Sequence, residues 1–234
     1  MSYLPGSVPT LVSTPQPDED SRSADHDSCE NPWIDAIVKR ALRDGLALRQ
    51  ELLESEKREA MIGAAATLLL SALSQGGKLL LCGNGGSAAD CQHIAAELTG
   101  RFSKSPRRGL PALALTTDTS ALTAIGNDYG YDEVFARQVE ALGRPGDVLM
   151  CISTSGKSRN VVRAAERARA QAMSVIALCG PQAEALGMLA DACILVPGST
   201  PDRIQELHIT VGHILCEVID RAFIAALPGH AGAL

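Results

Sequence analysis

Two stretches of this chain carry the residue types that hold anions. Cys82-Gly83-Asn84-Gly85-Gly86-Ser87 closes an apolar run and leads into a helical pattern. Glycines at such a junction let backbone amides approach an anion, and the helix N-terminus adds the positive end of its dipole. Ser87 reads as the helix N-cap, with a hydroxyl free to reach a ligand. The spacing of Gly83, Gly85 and Gly86 is neither the GxGxxG of a dinucleotide loop nor a Walker loop, and a tight strand-to-helix turn without a ligand accounts for it equally well. Ser153-Thr154-Ser155-Gly156-Lys157-Ser158 is the second stretch, again between an apolar run and a helical pattern. Its hydroxyls and glycine suit a phosphate cradle of hydroxyl donors, open amides and a helix dipole. A serine-rich helix cap is the plain alternative, but two such junctions in one sheet favour an anion site.

Residues able to move protons or bind a metal lie nearby and far downstream. His93 and Glu97 stand at i, i+4 on the helix after the glycine loop, so they share a face. A late helix offers Gln205, Glu206, His208 and His213. Taken singly, each has an ordinary explanation, a satisfied histidine or a solvated helical carboxylate.

These residues need elements to carry them. Residues 1–32 are rich in Pro, Ser, Thr and Asp without a sustained period, which predicts a disordered extension. From Trp33 apolar positions fall at helical spacing, predicting helices over 33–54 and 57–75. Short apolar runs then occur at 78–82, 111–115, 147–152, 173–178 and 192–196. Helical patterns separate them near 87–99, 119–126, 131–142, 158–171 and 182–190, and one long helix is expected over 201–227. Apolar runs of this length between helices predict an α/β fold, a five-stranded parallel sheet wound by βαβ units. The chain therefore reads as one domain over 33–230, with added N-terminal helices at 33–75.

Composition agrees. With 46% hydrophobic but only 3% aromatic residues, Ala, Leu, Ile and Val must fill the core, which favours helices on a buried parallel sheet over an aromatic-rich sandwich. A formal net charge of −6 gives no general pull toward nucleic acid or anionic lipid, so a phosphate has to be held by local amides and hydroxyls. Seven cysteines, without a CxxC pair and with Cys82, Cys151, Cys179 and Cys193 in apolar runs, suit reduced, buried thiols of a cytosolic protein. No apolar run approaches the ~20 residues that span a bilayer. No export signal is evident at the N-terminus, so the expected location is cytoplasmic, with neither membrane nor nucleic acid as partner.

STSGKS after an apolar strand resembles the phosphate loop of sugar-isomerase (SIS) domains. CGNGGSAADCQHIAAELTGRF, TTDTSALTAIGNDYGYDEVFARQVEALG and DRIQELHITVGHIL complete an ordered set of blocks that resembles the bacterial phosphoheptose isomerases over roughly residues 33–226. The extension over 1–32 has no counterpart there. The resemblance implies an SIS-type sheet, a homotetramer with shared active sites, and a sugar-phosphate substrate. It implies isomerisation of sedoheptulose 7-phosphate to D-glycero-D-manno-heptose 7-phosphate through an ene-diol or ene-diolate. Such a reaction needs a base beside a carbonyl and an acid or metal for the developing oxyanion. By resemblance the catalytic pair is Glu97 and His213, and one zinc ion per subunit sits at His93, Glu97, Gln205 and His213. Substrate contacts are implied at Asn84, Gly85, Gly86, Ser87, Asn127, Asp128, Ser153, Thr154, Ser155, Ser158, Asp202 and Gln205. Asp128 and Asp202 are also natural turn or cap residues. Lys157 stands where relatives often carry Asn.

Helix geometry tests part of this. At about 100° per residue, Gln205 and His213 lie about 80° apart, Glu206 lies closer to the His213 direction, and His208 lies well off it. Spacing alone prefers Glu206; the resemblance selects Gln205. Gln205 and His213 are also about two turns apart, so one metal between them requires side-chain reach or a bent helix. The rival reading is a non-enzymatic SIS protein that binds the bacterial replication initiator DnaA, but that relative lacks a Glu at the position of Glu97 and a His at that of His213. A sugar-sensing regulator would need a helix-turn-helix, for which residues 1–32 are too polar and irregular.

Overall fold

The computed structural model describes residues 31–104 and 107–227. The disordered extension expected over 1–32 lies outside the described residues as far as residue 30, and Pro32 is already helical. Helix α1 (Pro32–Leu53) opens on that proline, whose fixed φ suits a first turn and whose missing N–H would have no partner there. Helix α2 (Glu56–Ser74) is capped by Ser55, whose hydroxyl accepts from the Arg58 N–H, with Glu56 and Glu59 at the positive end of the dipole.

The alternation then runs β1 (Leu79–Gly83), α3 (Gly86–Thr99), β2 (Ala112–Ala114), α4 (Thr119–Tyr129), a 3-10 turn (Tyr131–Glu133), α5 (Ala136–Leu142), β3 (Val148–Ser153), α6 (Arg159–Ala170), β4 (Ser174–Cys179), α7 (Glu184–Leu189), β5 (Ala192–Leu195) and α8 (Pro201–Ala225). The helix expected over 131–142 is broken instead. Gly130, at φ 89°, ends α4, the 3-10 turn follows, and Val134 and Phe135 drop into the core before α5 begins.

All neighbouring strands pair in parallel, in the order β2-β1-β3-β4-β5. Side chains alternate between two cores. Leu79, Leu81, Met150 and Ile152 point to one face, where Leu69 of α2, Ile94 and Leu98 of α3 and Leu207, Val211 and Leu215 of α8 cover them. Leu80, Cys82, Leu149 and Cys151 point to the other, under Val139 of α5, Val161 and Ala164 of α6 and Leu186 of α7. Leu52 of α1 joins the first core, so the N-terminal helices belong to the same fold; residues 228–230 lie outside the described range. Cys82 and Cys151 are register partners with Sγ atoms 3.7 Å apart, and their contact, then burial, holds the Cys82 thiol well above its ordinary pKa. Cys193 departs from the buried expectation, being half-buried on the edge strand β5.

From β1 the chain winds outward to β2, then returns to the other side of β1 as β3. The crevice between the carboxyl ends of β1 and β3 is thus the topological switch point, where open parallel sheets bind ligands. The loops leaving these strands are the glycine-rich and serine-rich stretches.

Candidate active site

Both loops hand open helix N-termini to that crevice. Gly85, at φ 57° and ψ −123°, occupies the cap position of α3 and makes no side-chain capping bond, a backbone conformation that favours glycine. The N-cap is therefore not Ser87. The chain turns earlier, and Ser87 becomes a helical residue only 3% exposed, packed beneath Gly83. At α6, Ser158 holds the cap position and its side chain makes no capping bond, leaving the Arg159 and Asn160 amides open to an anion. Its hydroxyl lies 3.2 Å from that of buried Ser153, which also accepts from the Gly156 N–H at 3.1 Å. Ser155 is exposed and accepts from the Lys157 N–H, and Thr154 is half-buried.

The loops are joined directly. Asn84 and Asn160 exchange two amide hydrogen bonds, of 2.9 and 2.8 Å, and the Tyr131 hydroxyl donates to Asn84 Oδ1 at 3.0 Å. Tyr131 follows Asn127 and Asp128, which are exposed in the last turn of α4 and bonded to each other at 2.8 Å.

Helices α3 and α8 run side by side in the same direction: the Gln205 amide lies against Gly86, Gly212 against Ile94, and His213 against His93. His93 Nε2 and His213 Nε2 are 2.9 Å apart, and Glu97 Oε1 is 3.4 Å from His93 Nε2. The three side chains bring ligand atoms within 4.8 Å of one another, and among the described residues no other such His, Cys, Asp or Glu cluster forms. Two imidazole nitrogens and a carboxylate oxygen facing a common point, with the remaining side open, are a donor set suited to a divalent metal with an exchangeable position. The residues present fit such an ion. The Phe102 ring lies 6.1 Å from that of His213. Burial lifts Asp90, one turn before His93, to about 6, an effect His93 opposes.

The other late-helix residues separate. Gln205 packs over Gly86, about 10 Å along the α3 axis from His93, at the glycine-loop end of the helix. Glu206, which spacing alone prefers, pairs with Arg203 and approaches Gly45 of α1. His208 faces the core with no exposure, as its helical angle requires. Asp202 lines a groove of about 670 Å³ with Arg40, Asp44 and Arg203, and the Thr200 hydroxyl chiefly holds its carboxyl below the usual range.

Sequence reasoning missed Asn160, Tyr131 and Arg107. Arg107 is buried, pairs with Asp220 of α8 and donates to the carbonyls of Glu97 at 2.8 Å and Leu98 at 2.9 Å, fastening the end of α3 to α8. Its partners lie far along the chain or on the backbone, and no local motif signals them.

A five-stranded parallel sheet with a glycine-rich and a serine-rich loop at its switch point and a His–Glu–His cluster alongside defines an α/β domain of the doubly wound class, and the SIS domain family model matches residues 45–180. The chain is 54% identical to the phosphoheptose isomerase of a Nitratiruptor species, over 75% of this chain and 98% of that protein. It is 51% identical to one from Helicobacter pylori, over 81% and 96%. The solved phosphoheptose isomerase of Neisseria gonorrhoeae superposes with a TM-score of 0.74 at 46% identity, over 80% of this chain and 99% of that one. The chain belongs to the phosphoheptose isomerases of the SIS-domain family. The initiator-binding alternative gains no support from these relatives.

Proposed function

We propose that this chain interconverts sedoheptulose 7-phosphate and D-glycero-D-manno-heptose 7-phosphate, as an intramolecular oxidoreductase. The observation that carries the reading is the convergence of Glu97 and His213 from α3 and α8, α3 being the helix that starts at the glycine loop. The names of its relatives support it.

In this mechanism the open amides of α6 and the hydroxyls of Ser153, Thr154, Ser155 and Ser158 hold the phosphate, with the amides of Gly85 and Gly86 on the other loop, while Ser87, buried beneath Gly83, supports that loop. Asn84, Asn127, Asp128, Asp202 and Gln205 take sugar oxygens. The Glu97 carboxylate removes a C1 proton of the ketose and returns it at C2. His213 gives a proton to O2 as the ene-diol forms, then takes one from O1 as the aldehyde closes, so protons balance over the cycle. One zinc ion per subunit, held by His93, Glu97 and His213, would polarise the carbonyl side of the sugar; Gln205 packs over Gly86 and would have to swing from there to join as a further ligand. Glu97 has two carboxylate oxygens, so one can face the metal while the other meets the carbon-bound proton.

The same reading includes a homotetramer with shared active sites. The exposed apolar row Ile34, Ile37, Val38, Leu42 and Leu46 on α1, with Ile214 and Val218 on α8, supports it. Among the described residues no helix is long and apolar enough to cross a membrane. A cytoplasmic location is part of the proposal and suits the free cysteines.

The test is incubation of the purified protein with a panel of ketose 7-phosphates, with and without chelator, following the aldose product. Turnover of sedoheptulose 7-phosphate, lost in Glu97→Gln by a factor of about 100 or more, is expected. A wild type that turns over none of the panel with metal supplied overturns the reading.

A further inference from the structure

We propose that Asn160 and Tyr131 are positioning residues that lock the Asn84 amide as a hydrogen-bond donor toward the substrate and hold the two anion-binding loops at a fixed separation. The inference rests on the sugar-phosphate reading of the crevice and adds two residues to it.

Orientation is decided at Asn160. The Val161 N–H is shared between the Ser158 carbonyl and Asn160 Oδ1, each at 3.0 Å, and an NH2 in place of that Oδ1 would meet it donor against donor, so the oxygen of the amide must face the start of α6. Asn160 Nδ2 is then left to donate to Asn84 Oδ1 at 2.8 Å, and the same Asn160 Oδ1 accepts from Asn84 Nδ2 at 2.9 Å. The Asn84 oxygen thus carries two donors, Asn160 Nδ2 and the Tyr131 hydroxyl at 3.0 Å. Both lone pairs of Asn84 Oδ1 are engaged, whereas Nδ2 keeps one hydrogen beyond its bond to Asn160. Asn84 stands in the glycine loop at the mouth of the crevice, and the polarity that remains to it is that of a donor. It selects an oxygen acceptor, a phosphate oxygen or a sugar lone pair.

Separation is fixed by the same bonds. Asn84 follows β1, and Asn160 is 3% exposed in the first turn of α6, the helix whose N-terminus faces the serine loop. A reciprocal amide pair has little freedom to slide, so the glycine loop and the α6 amides keep their spacing without a ligand. Tyr131 ties the segment bearing Asn127 and Asp128 to the same atom. Pre-organisation of this kind strengthens binding by removing the cost of ordering the loops.

The experiment compares wild type, Asn84→Ala, Asn160→Ala, the double variant and Tyr131→Phe. It measures kcat and KM for sedoheptulose 7-phosphate, the Kd for inorganic phosphate by calorimetry, and Tm. Asn160→Ala is expected to raise KM and the phosphate Kd about tenfold, and Tyr131→Phe several-fold, with kcat changed less than KM. The double variant should bind no more weakly than the worse single one, because the pair acts as a unit. KM and phosphate Kd matching wild type in both Asn160→Ala and Tyr131→Phe overturn the proposal, even if Tm falls. Should Asn160→Ala fail to fold, Tyr131→Phe, which removes only an exposed hydroxyl, decides alone. A wild type without turnover whose phosphate binding weakens in the variants sinks the isomerase reading and leaves the positioning role standing. Absence of both turnover and phosphate binding in the wild type overturns both.

Discussion

His93 and His213 bring their Nε2 atoms to 2.9 Å across 120 residues of chain. Two nitrogens at that distance share one hydrogen or share an ion; two protonated rings would repel. Glu97, on the same face of α3 as His93, supplies a negative charge that favours a shared cation.

If the pair shares an ion, removal of one ring breaks the donor set. His93→Ala should bind zinc at least about tenfold more weakly than wild type, a loss expected even for residues one shell further out. Metal content after dialysis against a graded chelator series reads this directly. Equal retention in both proteins would remove His93 from the ligand set.

The close approach of α3 and α8 that makes the cluster depends on a missing side chain. A Cβ on Gly212 would stand 2.7 Å from Ile94 Cδ1 and 2.9 Å from its Cγ1. Gly212→Ala should therefore push the helices apart beside the histidines, at a cost of about 1–3 kcal/mol. Zinc binding should weaken with it. Pairing the change with Ile94→Ala, which clears the space, should restore metal binding more than stability. Failure of that rescue would show that Gly212 acts otherwise than by spacing the helices.

How much of this is legible in the sequence follows from the range of the interactions. Strands β1 and β3 are buried at every position, and such runs betray themselves as unbroken apolar stretches between helices. His93 and Glu97 can be placed on one face because helical period is local. Ser87 reads wrongly as a cap because the decisive feature, the positive φ of Gly85, is a backbone conformation that the neighbouring glycine makes equally available one position away. Glu206 has the right helical angle for His213 but is drawn off by Arg203 and α1, a choice made by tertiary partners. The Asn84–Asn160 exchange spans 76 residues and obeys no spacing rule.

Arg107 offers a test of what holds the cluster's frame. Its guanidinium and the Asp220 carboxylate are 1% and 3% exposed, so truncating one leaves the other charge buried without its partner. Arg107→Ala should lose about 3–5 kcal/mol in urea unfolding, whereas Arg107→Met with Asp220→Leu, which removes both charges, should recover much of it. A single variant as stable as wild type would mean that water reaches Asp220 and that the pair does not clamp α3 to α8.

His208 makes stability depend on acidity. Its ring is fully buried, and neither nitrogen finds a well-aligned hydrogen bond, although the Cys179 backbone lies near enough to favour the proton slightly. Burial, the larger effect, depresses its pKa from 6.5 to about 4. Between those values the unfolded chain takes up a proton that the native ring refuses, so stability falls as pH falls from about 6.5 toward 4 and is level above that window. At pH 4.5 the loss is about 2.5 kcal/mol. Asp90 acts with the opposite sign, because its raised pKa of about 6 lets the native state bind a proton first. Comparing wild type with His208→Leu cancels Asp90, which both carry. The difference in unfolding free energy between the two proteins should therefore shift in favour of the variant by about 2.5 kcal/mol between pH 7 and 4.5. Parallel pH profiles would mean that the buried imidazole finds a partner that lets it charge.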